Sequence, residues 1–132
     1  MSKIISVHSF RGGTGKSNIS ANIASQLAQR GHRVGVIDTD IQSPGIHVLF
    51  GMDEEQIDRS LNDYLWGRCN IEDTAYNVSA RIGKGEVIVM GADIYLVPSS
   101  IRAGEIARVL REGYDVSMLN EGFRALVKWL KL

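Results

Sequence analysis

Apolar residues along the chain fall into short blocks separated by glycine-rich or polar stretches. Lys3 to Ser9 carries Ile4, Ile5 and Val7 and stops at a glycine cluster, the pattern of a buried parallel strand. A helix is predicted from Ser17 to Arg30. Ile19, Ile23 and Leu27 share one face with Ala24 and Ala28 beside them, and Gly31 is the stop. His32 to Asp38 holds Val34, Val36 and Ile37, a second short strand. Strand, glycine loop, helix and strand make a right-handed βαβ unit, which implies parallel sheet. Asp38, Asp40 and Gln42 then fall at the carboxyl end of the second strand, where open α/β sheets bind ligands.

The middle of the chain is less regular. Ser43-Pro44-Gly45 starts a turn, and Ile46 to Phe50 reads as one helical turn. Asp53 is the expected cap of a helix through Tyr64, with Ile57, Leu61 and Leu65 on one face. No period is visible from Asn70 to Ala80, and Lys84 sits in a turn. Glu86 to Met90 and Ile94 to Val97 flank Gly91-Ala92-Asp93 and predict a β-hairpin, ended by Pro98. Ile101 to Glu112 predicts a helix carrying Ile106, Val109 and Leu110 and broken by Gly113. The last helix has the cleanest stripe: Val116, Leu119, Phe123, Leu126, Val127 and Leu130.

Composition narrows the class. At 132 residues and 44% hydrophobic, the chain is one domain's worth with one modest core. Fifteen basic and fifteen acidic residues cancel, which argues against an obligate polyanion binder. The single cysteine, Cys69, excludes an internal disulfide framework and fits a reducing compartment. His8, His32 and His47 have no partners at metal-ligand spacing. Gly12, Gly13 and Lys16 interrupt the stretch where a signal-peptide core would run, and no apolar run approaches the roughly 20 residues of a membrane span. The expected location is the cytoplasm.

The chemistry concentrates in Gly12-Gly13-Thr14-Gly15-Lys16-Ser17. The general phosphate-binding loop places a glycine five positions before the Gly15 equivalent; that position is Phe10, so the plain pattern fails there. The context holds nonetheless, with a strand before and a helix after. Glycines let backbone N–H groups converge on an anion, and the helix opening near Ser17 adds partial positive charge. Lys16 supplies a point charge for β- and γ-phosphates, and the Ser17 hydroxyl is a hard oxygen ligand suited to Mg²⁺. Of Asp38 and Asp40, one can hold a metal-bound water and the other can orient an attacking water.

With Arg11 included, Arg-Gly-Gly-Thr-Gly-Lys-Ser resembles the deviant Walker A motif of the MinD/ParA family of ATPases. Val-Ile-Asp-Thr-Asp-Ile-Gln-Ser-Pro-Gly resembles the family's Asp-x-Asp segment, and Tyr-Leu-Val-Pro-Ser-Ser its third strand and turn. The resemblance implies an α/β P-loop NTPase fold: a mostly parallel twisted sheet flanked by helices in three layers, with an added β-hairpin, incomplete relative to the family. It implies ATP and Mg²⁺ as ligands. Gly12, Gly13, Thr14, Gly15, Lys16, Ser17 and Asn18 would bind nucleotide, Ser17 and Asp38 would serve the metal, and Asp40 would position the hydrolytic water. Lys16, Asp40 and Arg11 form the catalytic set, Arg11 standing where the family's signature lysine reaches across an ATP-sandwiched homodimer.

The same resemblance implies a nucleotide-switched dimer that positions or segregates a cargo, with an activating partner or cargo adaptor. Arg102, Arg108, Arg111, Arg124, Lys128 and Lys131 would line a basic surface for nonspecific DNA. Two alternatives stay open: an ATP-dependent amidase or ligase of the cobyrinic-acid or dethiobiotin type, and a binding module without turnover. No Walker B-type segment follows Ser100, so residues 1–132 read as the N-terminal part of a single ATPase domain, inactive alone. In the family sheet order, an empty slot would separate the strands at residues 3–9 and 33–38.

Overall fold

The computed structural model describes residues 3–5, 16–39, 46–50, 52, 54–78 and 94–132. Helix α1 runs Lys16–Gln29, followed by strand β1, Val34–Ile37. A short helix α2, Ile46–Leu49, leads to a 3-10 turn at Glu54–Gln56 and helix α3, Leu61–Leu65. A second 3-10 turn at Ile71–Thr74 precedes the two-residue strand β2, Tyr76–Asn77. Strand β3, Ile94–Val97, then feeds helices α4, Ala103–Glu112, and α5, Val116–Leu130.

The sheet order among the described strands is β1-β3-β2. β1 and β3 pair in parallel, with Val36 opposite Leu96 and Ile37 opposite Val97. β2 pairs antiparallel with β3 on its other edge. Because successive strand residues point to opposite faces, this register sorts the core in two. Val36, Ile94 and Leu96 join Ala24, Ile46, Phe50, Met52, Ile57 and Val78 on one face. Val97, with Ile37 beside it, joins Leu61, Leu65, Ile71, Val109, Leu119 and Leu126 on the other. Helices α1 and α2 thus cover one face, and α3, α4 and α5 the other, giving the expected three layers. Burying a residue such as Phe50, Leu96 or Leu126, each at most 1% exposed, stabilises the fold by about 2–3 kcal/mol.

Chain reversals follow local chemistry. α1 ends as predicted at Gly31, whose φ of 89° only glycine adopts without strain. There the Gly31 N–H donates to Ala28 O and the His32 N–H to Leu27 O, a Schellman closure. α5 is capped by Asp115, whose side chain accepts the N–H groups of Ser117 (2.9 Å) and Met118 (3.3 Å). Gly122 lets α5 lie close to α3, since a Cβ there would stand 2.8 Å from the Tyr64 ring. The Tyr64 hydroxyl donates to Met118 O at 2.7 Å across the same contact.

Several expectations change. The predicted inner face of α1 is rotated. Ala24 is buried and Ala21 and Ala28 pack on the sheet cluster, whereas Ile19 is 48% exposed. Alanines thus line the side of α1 that meets the cluster of Val36, Ile94 and Leu96. The single helix expected from Asp53 to Tyr64 is two pieces, a 3-10 turn and α3. Ile57, Leu61 and Leu65 are all buried as expected, but Ile57 belongs to one face of the sheet and the two leucines to the other.

Ile4 and Ile5, expected in a buried strand, are 71% and 60% exposed, and residues 3–5 pair with no strand among the described residues. The rest of that strand, its slot beside β1, and the hairpin arm at residues 86–90 lie outside the described residues, as do His8, Asp53 and Lys84. The antiparallel neighbour of β3 among the described residues is β2. α4 starts at Ala103, two residues later than predicted, and its Leu110 is 60% exposed while Val109 is buried. In α5, Leu119 and Leu126 are buried, while Val116, in the first turn, is 60% exposed. Among the described residues, no helix is long and apolar enough to cross a membrane.

Candidate nucleotide site

α1 begins at Lys16, the residue that directly follows the glycine run, so the loop and the helix N-terminus adjoin as the chemistry requires. Lys16, Ser17 and Asn18 form its first turn. The loop itself, Arg11 to Gly15, and Asp40 lie outside the described residues.

Asp38 is placed directly. It follows the last residue of β1 and is 6% exposed. Its N–H donates to Val97 O at 3.0 Å, extending the parallel ladder one step. Its carbonyl accepts the Ser99 hydroxyl at 2.6 Å. The site edge of the sheet is therefore built from two neighbouring strand ends, the arrangement in which open α/β sheets bind ligands.

The segment leaving β3 is the part that the sequence did not single out chemically. Pro98, Ser99 and Ser100 are buried, although they connect a strand to a helix. Their polar groups are met by side chains and by α3. The Leu61 N–H donates to Pro98 O at 2.8 Å. The Ser100 N–H donates to Asn62 Oδ1 at 2.8 Å, and the Ser100 hydroxyl bonds to the Glu105 carboxylate. Glu105 in turn pairs with Arg68 at 3.1 Å, and Arg68 with Asp63 at 3.2 Å. Asp63 accepts the Ser60 N–H at 2.8 Å, fixing the start of α3. The available signal was the Ser60-x-x-Asp63 spacing and the serine pair after the strand.

Oxygen donors suit Mg²⁺. The buried Asp38 carboxylate at a strand end is a donor of that kind. Among the described residues, no three His, Cys, Asp or Glu side chains gather as a metal site. His47 is buried, and its Nδ1 meets no hydrogen-bond partner among the described residues. Arg108, expected on a basic surface, lies 4.2 Å over the Trp66 ring and bonds Glu112 at 2.7 Å.

Cys69 is a half-buried thiol. Burial pushes its pKa up, the carboxylates of Asp63, Asp73 and Glu72 add to that, and Arg59 opposes. The thiolate that binds metals and attacks electrophiles is thereby disfavoured. Ellman's reagent at pH 8 should react more slowly with native Cys69 than with the same thiol in the urea-unfolded chain. Equal rates would show that the environment leaves the thiol unperturbed.

A helix that directly follows a glycine run and packs on a parallel strand pair, with an aspartate at the neighbouring strand end, is the arrangement of a P-loop NTPase. The family profile described as ParA, NUBPL iron-transfer P-loop NTPase matches residues 1–79, and the chain belongs to that family. An uncharacterized ATP-binding protein of Methanocaldococcus jannaschii is 36% identical over 96 residues, 73% of this chain and 34% of that protein. An iron-sulfur cluster carrier protein of Rickettsia bellii is 56% identical over 52 residues, 39% of this chain and 16% of that one. In fold, the chain is similar to cobyrinic acid a,c-diamide synthase from Mycobacterium smegmatis, solved with an ATP analog and magnesium. That match has a TM-score of 0.62 at 23% identity and covers 88% of this chain and 43% of the synthase chain. The chain spans about a third or less of the length of these two curated relatives.

Proposed function

We propose that this chain is the Mg-ATP-binding part of a ParA-family ATPase whose nucleotide state switches its hold on a cargo. The observation that carries the reading is that α1 begins at Lys16, directly after the glycine run in the sequence, with Asp38 buried at the adjacent strand end. In this reading the loop N–H groups and Lys16 bind the β- and γ-phosphates. Ser17 and Asp38 hold the Mg²⁺ shell, and Asp40 orients water. Mg²⁺ would neutralise charge on the phosphates as the leaving oxygen departs. Arg11 would serve the second nucleotide of a homodimer.

For the cargo, an iron-sulfur cluster is favoured over a partitioned plasmid or chromosome region. The matched family is described as iron-transfer, and the Rickettsia bellii relative is named a cluster carrier. Cys69 is not favoured as its ligand, since burial and the nearby carboxylates of Asp63 and Asp73 disfavour the thiolate. The amidase or ligase alternative is supported by fold likeness to the synthase alone.

Calorimetric titration with ATP and Mg²⁺ tests the reading. One saturable site per chain is expected. A folded chain that gives no binding heat, alone and within a longer polypeptide carrying the same segment, overturns it.

A further inference from the structure

The geometry points to Ser99 as a positioning residue for Asp38, and through it for the Mg²⁺ shell. The inference rests on the reading of Asp38 as a metal-shell carboxylate and deepens it.

β1 ends at Ile37 and β3 at Val97, which face one another in register. Beyond that pair the ladder contributes one more bond, from the Asp38 N–H to Val97 O at 3.0 Å. Parallel strands part at their carboxyl ends where an open α/β sheet forms its ligand crevice. The Asp38 carbonyl lies one step past the last in-register pair of β1 and β3. A side chain takes over: the Ser99 hydroxyl, fully buried, donates to that carbonyl at 2.6 Å. Both backbone polar groups of Asp38 are then held by the tail of β3, which fixes the peptide planes on either side of its Cα. With those planes fixed, the direction of the Cα–Cβ bond, and so the origin of the carboxylate, is fixed too.

Ser99 is itself held from both sides. The Pro98 carbonyl accepts the Leu61 N–H at 2.8 Å, and the Ser100 N–H donates to Asn62 Oδ1 at 2.8 Å. The hydroxyl is thus presented from an anchored backbone, with α3 bracing the residue on each side of it. An apolar side chain at position 99 would pack as well in a buried site. A hydroxyl is what the Asp38 carbonyl requires.

The test separates a positioning role from a merely structural one. ATP binding to the whole chain is measured by calorimetry in Mg²⁺ and again in EDTA, for wild type, Ser99→Ala and Ser99→Thr. Wild type is expected to bind more tightly with Mg²⁺. Ser99→Ala should lose about five-fold of that Mg²⁺-dependent gain, the worth of one neutral hydrogen bond, while its affinity in EDTA is unchanged. Ser99→Thr, which keeps the hydroxyl, should retain the gain. An unchanged Mg²⁺ gain in Ser99→Ala overturns the inference and leaves ATP binding intact. Absence of ATP binding or of any Mg²⁺ gain in wild type overturns the underlying reading, and the inference falls with it. If Ser99→Ala does not fold, Ser99→Cys decides: its weak S–H donor should lower the gain, and a full gain sinks the proposal.

Discussion

Replacing Lys16 by alanine is expected to weaken Mg-ATP binding by about 100-fold while leaving the thermal midpoint in place. Hydrogen bonds between an ammonium and phosphate oxygens are charge-assisted and contribute about 1.5–3 kcal/mol, the upper end of which is a hundred-fold in affinity. Removing the ammonium leaves the phosphate charge to the metal ion, the backbone N–H groups and the helix N-terminus. The fold should tolerate the change, because Lys16 is the first residue of α1 and alanine is the better helix former. Lys16→Arg should fall between the two, since it keeps the charge but not the compact head. Calorimetry gives the affinities and circular dichroism the midpoints. Equal affinity in Lys16→Ala would detach nucleotide binding from this loop.

Truncating Phe50 to alanine is expected to cost about 3–5 kcal/mol of folding stability. Phe50 is 1% exposed and closes the cluster that joins Ala24 of α1 to Val36, Ile94 and Leu96 of the sheet. The loss combines the transfer term of the ring with the cavity left behind. Domains of this size have about 5–15 kcal/mol in total, so the variant would approach the limit of folding. Urea unfolding should show a lower midpoint with an unchanged slope. A loss under about 1 kcal/mol would mean that the ring does not fill the space between α1 and the sheet.

Legibility followed the range over which each signal acts. β1 and β3, as short apolar runs, and α4 and α5, from their stripes and from Gly113, were readable because propensity and burial agree there. α1 was readable as a helix but not as to face. Ile19 and Leu27 outweigh Ala24 on any hydropathy scale, yet the clearance above Val36 and Leu96 decides which side chains fit, and that is a tertiary quantity. The break between Ile57 and Leu61 was hidden by a four-residue spacing that a continuous helix would also produce. The Ser60–Asp63 bond and the Leu61 N–H to Pro98 O bond set the true start. For the site, the sequence placed Asp38 and the loop-to-helix join. It did not disclose the bonds that join Ser99 to Asp38 and Ser100 to Asn62, whose partners are 61 and 38 residues apart. No local pattern encodes such a pairing.

The alanine seat of α1 has a mechanical consequence. A helix held by leucines is keyed: moving it along its axis means lifting each knob from its hole and forfeiting dozens of close contacts. Ala21, Ala24 and Ala28 offer shallow relief, and Ile19 on the outer side is largely in solvent. The seat of α1 on the sheet is therefore shallow, while α5, held by Leu119 and Leu126 on the opposite face, is keyed.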